Sequence, residues 1–160
     1  MGRIKRSQVK TFINIAPSGN ADYALLGEGI TNLSVNYNPQ VSEEQYIHED
    51  TGTSEIESYR PSIPIEMKAI EDDEAFEFLD DIRQARAVLD AAKTDIVNVW
   101  LYEGDTMGEY PAEKQEVAVQ VDEFGGEGGT SLNFNVTLLY VGDPVLGTFN
   151  PTTAVFTPNP

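Results

Sequence analysis

The sequence predicts a mainly β fold: a sandwich or barrel-like sheet with one α-helix laid against it. Three observations carry that expectation. Apolar residues recur with a period of two through most of the chain, a single segment shows the 3.6-residue period of a helix, and turns rich in glycine or proline separate the runs. The chain has 160 residues, 40% of them hydrophobic, which suits one domain over residues 1–160 with a sizeable core.

The strands follow in order. In ITNLSVNY, residues 30–37, Ile30 leads into Thr31, Leu33, Val35 and Tyr37 on one face, with Asn32, Ser34 and Asn36 on the other. SIPIEMKA sets Ile63, Ile65, Met67 and Ala69 against Pro64, Glu66 and Lys68, and Pro64 suits an edge or a strand start. DIVNVWLY is apolar on nearly both faces, as a strand covered on both sides requires. EVAVQVDEF alternates Val117, Val119 and Val121 with Ala118, Gln120 and Asp122. SLNFNVTLLY turns Leu132, Phe134, Val136, Leu138 and Tyr140 inward and Asn133, Asn135 and Thr137 outward. The glycines of FGGEGGT permit the positive φ of a hairpin turn between these two runs. LGTFNPTTAVFTP supplies a last, proline-bounded strand.

The helix lies in EDDEAFEFLDDIRQARAVLDAAK. Ala75, Phe78, Leu79, Ile82, Ala85 and Leu89 follow helical spacing, and Asp72 or Asp73 can cap the start. The acidic first turn complements the macrodipole. A helix at about 72–84 therefore presents Phe78, Leu79 and Ile82 to the sheet.

Charge is unevenly placed. Arg3, Lys5, Arg6 and Lys10 make a short basic arm over residues 1–10, expected to be flexible, and no acidic residue precedes Ala21. After position 10 six basic residues face 27 acidic ones, a formal charge of −21. Such a body repels nucleic acid and anionic membranes. The acid either keeps the protein in solution or faces a polyanion that it must not grip. No cysteine is present, so disulfides and thiolate metal sites are excluded. No apolar run approaches a membrane span, and Lys10, Thr11 and Asn14 interrupt the amino-terminal apolar region, so a soluble protein made inside the cell is expected. Arg6 also breaks the myristoylation pattern.

Catalytic signals are sparse. His48 is the sole histidine and reads as a solvated side chain. The pairs Asp72–Asp73 and Asp80–Asp81 are adjacent on a helix and do not face each other, so capping or solvation is their expected role. FGGEGGT lacks the lysine and spacing of a phosphate loop. Neither an active site, a metal site nor a cofactor is expected. Residues 38–60 have no helical period and no sustained alternation, and read as a long loop with six acids and no base before Arg60. Loops of that length in compact domains are functional or disordered. Uncovered strand edges, the acidic excursion and the uncharged rows Asn32/Ser34/Asn36 and Asn133/Asn135/Thr137 fit surfaces held against a neighbour.

The order of these elements resembles the major tail (tube) protein of long, non-contractile-tailed bacteriophages. The phrases that carry the resemblance are YRPSIPIEMKAIEDDEAFEFLDDI after the acidic excursion, then RAVLDAAKTDIVNVWLYEG, then VGDPVLGTF before the last strand, within residues 20–157. The resemblance implies a tail-tube fold whose hexameric rings stack into an electronegative tube for double-stranded DNA, which passes without specific binding. It implies a virion component made in the host bacterial cytoplasm, with itself, tape-measure, tail-terminator and baseplate or tail-tip proteins as partners. The 38–60 segment then becomes the ring-stacking element, with Glu43, Glu44, Gln45, Tyr46, Ile47, His48, Ile56 and Tyr59 as candidate contacts. A tailocin or secretion tube shares the assembly physics; a monomeric β-sandwich binding module and a carboxylate-dependent hydrolase do not.

Overall fold

In the computed structural model, which describes residues 2–160, most of these runs join one eight-stranded antiparallel sheet. Its order is β2 (Tyr23–Leu25), β1 (Val9–Asn14), β7 (Lys93–Trp100), β8 (Tyr110–Gly125), β9 (Asn133–Asn150), β6 (Ser62–Lys68) and β3 (Ile30–Leu33). β10 (Val155–Pro158) pairs with the end of β9. The fold is mainly β with one helix, α1 (Glu74–Ala85), and the sheet curls into a half-barrel.

Curling gives two cores on opposite faces of the same strands. Ile63, Ile65, Met67, Ile96, Val117, Phe134, Val136 and Leu138 meet α1 in the larger one. Phe12, Tyr23, Val97, Val99, Ala112 and Phe149 form the smaller, with Phe156 of β10 packed against it. Ile96 and Val97 are neighbours in sequence and serve different cores, which is why the β7 run is apolar on both faces. β10 lies close against β9 because position 147 is glycine: a Cβ there would stand 2.2 Å from the Thr157 carbonyl oxygen.

β8 and β9 pair along almost their whole length, with two register shifts, a small one between Val121 and Glu123 and a larger one at Gln115. Lys114 pairs with Val145 and Glu116 with Val141, so one β8 residue, Gln115, faces three on β9. Gly142, at φ 70°, takes the left-handed conformation that this bulge needs. The bulge frees backbone carbonyls, and the buried Gln115 side chain answers them. Its Nε2 donates to the carbonyls of Glu116 and Val141 at 2.9 Å and of Gly142 at 3.1 Å.

α1 begins where the Asp73 carboxylate accepts the Phe76 N–H at 3.1 Å and ends at Arg86, a left-handed cap at φ 47°. Leu79 and Ile82 are buried in the larger core as expected, whereas Phe78 is half-buried and Phe76 packs edge-on against Phe134. Leu89 does not extend the stripe: the helix stops before it and its side chain is exposed. Arg83 pairs with Asp80 at 2.8 Å and sits 3.8 Å from the Phe124 ring, tying the helix to β8.

Several sequence expectations change. The basic arm does not stay irregular to residue 10: Arg6–Gln8 form a 3₁₀ turn, and Val9 and Lys10 already belong to β1. Arg6 secures this turn, donating to the Val9 carbonyl at 2.6 Å and the Leu33 carbonyl at 2.9 Å. β1 lies in the stretch that the sequence presents as an interrupted apolar leader, and β2 is only three residues long. Residues 38–60 are not a structureless loop but carry a separate hairpin, β4 (Pro39–Glu44) and β5 (Thr53–Tyr59). Leu132 is exposed rather than inward, and the last run divides between the end of β9 and β10 at a turn over residues 151–154.

Three substitutions test this packing. Leu79→Ala should cost about 2–5 kcal/mol of unfolding free energy in urea titration, the range for emptying a fully buried leucine site. Gln115→Leu should cost about 1–3 kcal/mol, because the bulge carbonyls lose their donor. Ile82→Asp should lower the melting temperature of the unassembled protein; unchanged melting would reassign the stripe to an interface.

Candidate assembly surface

Among the strands of the described residues, β4 and β5 are the pair that leaves the sheet without joining either core. They pair only with each other, and the burial pattern along β5 is exposed at every position. This is why no apolar alternation marks the hairpin in the sequence: period two arises when one face is buried, and here no residue is buried, with only the polar Gln40 and Ser42 of β4 partly covered.

The root is stapled from one residue. Asn38, at φ 44°, donates its Nδ2 to the Arg60 carbonyl at 3.1 Å and to Ser62 Oγ at 3.2 Å. The Arg60 N–H reaches the Tyr37 carbonyl at 3.1 Å, and Tyr37 and Tyr59 meet edge-to-face at 6.2 Å. At the tip, Gln45 Nε2 donates to the Glu49 carbonyl at 3.0 Å, and the Tyr46 hydroxyl donates to Glu44 at 2.8 Å. Tyr46 stacks beside His48, whose Nε2 lies 3.9 Å from Glu49.

All eight sequence candidates therefore fall on one projecting element. Glu43 and Glu44 end β4, residues 45–48 form the tip, and Ile56 and Tyr59 lie on β5. Val41 was not among them, yet it pairs across the ribbon with Ile56, and both are more than half exposed, at 53% and 60%. Ile47 is fully exposed. Val41 carries a β-branched side chain suited to a strand, a signal that is readable only once the β4–β5 pairing is known.

Beside the root lies an open cleft of about 750 Å³, lined among others by Tyr37, Pro39, Tyr59, Glu113, Tyr140 and Asp143. The β9 bulge forms its opposite wall. Burial pushes the Tyr37 hydroxyl up, with Glu113 adding to the effect. The Tyr140 hydroxyl accepts from Asn98 Nδ2 at 3.2 Å and is pushed up to about 12, chiefly by burial; Asn98 opposes the shift and Glu113 supports it. Asn98 also accepts from Thr11 Oγ1 at 2.8 Å. Asn98 thus joins Thr11, Tyr140 and Glu113, to whose carboxylate it also donates at 3.3 Å. Among the described residues no three His, Cys, Asp or Glu side chains converge as a metal set, and no helix is long and apolar enough to cross a membrane. The Asn133, Asn135 and Thr137 row stands on the sheet face away from α1, exposed at Asn133 and partly covered at the other two.

No family model matches the chain, and no curated protein sequence matches it. Among solved structures, a chain from the tail of an empty GTA particle, determined by helical refinement with C6 symmetry, superposes at a TM-score of 0.63. That match is 11% identical and covers 89% of this chain and 97% of the other, so the two share a fold over nearly their full lengths. A chain of the six-fold symmetrised anti-feeding prophage baseplate overlaps more loosely, at a TM-score of 0.47 and 16% identity over 91% of this chain and 97% of that one.

Tyr140 makes a pH prediction with a definite sign. Its folded-state value of about 12 lies above the ordinary 10.0, so the stability it contributes is complete below pH 10 and is lost as pH rises through about 12. Thermal melts across that window should fall less steeply for Tyr140→Phe than for the parent.

Proposed function

We propose that this chain is a structural tail subunit that assembles with itself into hexameric rings, stacked as a tube through which double-stranded DNA passes. One observation carries the proposal: a paired ribbon leaves the sheet bearing Val41, Tyr46, Ile47, Ile56 and Tyr59 in solvent. An isolated two-stranded hairpin is marginal in water, so its apolar side chains gain only when a partner covers them. Holding the segment still costs about 1–2 kcal/mol of backbone entropy per residue, which contacts repeated around a ring offset through multivalency. The fold shared with a C6 tail chain supports a ring of six.

Charge supports the conduit. Counterion release rewards lysine and arginine against phosphate, and a body with six basic and 27 acidic residues after position 10 forgoes that reward. DNA would pass without being held. In this reading the subunit belongs to a particle tail made in a bacterial cytoplasm, meets tape-measure, terminator and tail-tip proteins at the tube's contents and ends, and needs neither metal nor cofactor.

Light scattering and negative-stain microscopy of concentrated protein should show rings and tubes; monomers at every concentration would favour a binding module instead. Association should strengthen from low to moderate salt, as repulsion between acidic bodies is screened. Deleting residues 43–57 and closing with a short glycine-containing turn removes six carboxylates and should leave melting and circular dichroism nearly unchanged, because the hairpin contributes to neither core. Simple electrostatics then expects better association; the stacking role expects tubes to vanish. A folded deletion variant that still forms long regular tubes would refute it.

A further inference from the structure

The cleft beside the hairpin root combines aromatic surface with negative charge. Tyr37, Tyr59 and Tyr140 line it together with three prolines, and Glu113 and Asp143 are the charged residues among its walls. Tyr37 and Tyr59 are each 55% exposed although they meet edge-to-face, so their rings offer apolar surface to a guest. Among the described residues neither carboxylate forms an ion pair. Bases on the surrounding surface do not answer them. Arg6 shares the adjoining depression with Tyr37 and Glu113 but spends its guanidinium on the Val9 and Leu33 carbonyls. Lys93 and Lys114 share another with Asp95, Glu116 and Asp143, two bases against three acids. Arg60 falls between Tyr59 and Pro61 in the chain without lining the cleft.

Such a cleft fits a cation carried on an exposed segment: the charge meets the carboxylates, and tyrosine faces attract it through cation–π contact. One segment of this chain has that chemistry. The first ten residues hold four of the ten bases and no acid. Within them the exposed Ile4 stands between Arg3 and Lys5, both exposed and without an ion pair. The ribbon is the wrong guest, since its six carboxylates over residues 43–57 repel Glu113 and Asp143. The arm does not fill its own cleft. The Lys5 N–H bond to Gln8 Oε1 at 2.9 Å and the hold of Arg6 on Leu33 fix its departure in the adjoining depression, and none of residues 2–5 lines the cleft. We propose that the arm of one copy seats Arg3 and Lys5 in the tyrosine-lined cleft of a neighbouring copy, against Glu113 and Asp143.

This contact is separate from the ribbon and rests on the self-assembly proposed above. The residues ahead of Lys5, from Gly2 to Ile4, reach about 10 Å at full extension, so the two bodies must touch for the arm to enter. Attraction confined to one patch of a body that otherwise repels its copies fixes orientation as well as adding affinity.

The chain has no cysteine, so a single introduced thiol reports one place. Gly2→Cys is made in one population and Ser58→Cys in a second that carries a size tag. Both positions are exposed, an added Cβ at Gly2 meets nothing within 4 Å, and Ser58 lines the cleft. The populations are mixed under assembling conditions and treated with a short bis-maleimide. The mixed-size product should outweigh either same-size product. Adding Glu113→Gln and Asp143→Lys to the Ser58→Cys population should slow its formation about tenfold, the scale of losing and reversing two exposed pairs. The glutamine keeps an acceptor for Asn98. Asp143→Lys alone, at an exposed position, should slow it severalfold with parent-like melting. Same-size products alone, or a mixed product indifferent to both cleft variants, overturn the proposal; so does linkage confined to a chain carrying both thiols, which would put the arm in its own cleft. Microscopy of the same mixture separates the two readings. Rings or tubes without the mixed product remove the arm contact and leave self-assembly standing, whereas dispersed monomers without it remove both.

Discussion

The pairing of β8 with β9 is the constraint on which the rest of the molecule depends. These strands, 16 and 18 residues long, are the longest in the sheet, and each contributes to both cores. Val117 and Val119 on β8 and Phe134, Val136 and Leu138 on β9 build the core under α1, while Ala112 and Phe149 near their other ends build the second. The paired ribbon turns one face to each core. The Gln115 bulge lets it bend, and the buried amide of that residue meets the carbonyls that bending leaves without ladder partners.

The bend also makes the candidate surface. Gly142, Asp143 and Pro144 are displaced outward at the bulge and wall the cleft beside Tyr37 and Tyr59, so the hairpin leaves the body next to the most irregular part of the sheet. Asn38 fixes the departure with one side chain that reaches both sides of the root. The direction of the hairpin is thereby set by the core, although none of its apolar side chains enters it.

The sequence was legible wherever burial imposed a period. Ile63, Ile65 and Met67, the β7 run, and Phe134, Val136 and Leu138 fall inward as their alternation requires, and Asp73, Leu79 and Ile82 place the helix. Legibility failed for two physical reasons. β1 and β2 are short or share their residues between the two cores, so Phe12 and Ile13 read as one apolar run rather than as two faces. The hairpin is exposed on both sides, so pairing of its backbone leaves no mark on its side chains. What the sequence did disclose was its chemistry: six acids around Tyr46, Ile47 and Ile56 were visible as a surface in want of a partner before any strand was recognised there. Val41 and the role of Asn38 needed the register and the left-handed backbone to be seen.

In the proposed reading the subunit holds its own core and reserves one element for its neighbours. Amide hydrogen exchange tests that division most directly. In the dispersed protein, β4 and β5 have a single ladder and no core behind them, and their amides should exchange far faster than those of β7, β8 and β9. In the assembled protein the amides of residues 40–44 and 53–59 should become protected, while β7–β9 change little. Equal exchange of the hairpin in both states, with assembly confirmed in the same sample, would contradict its role in joining copies.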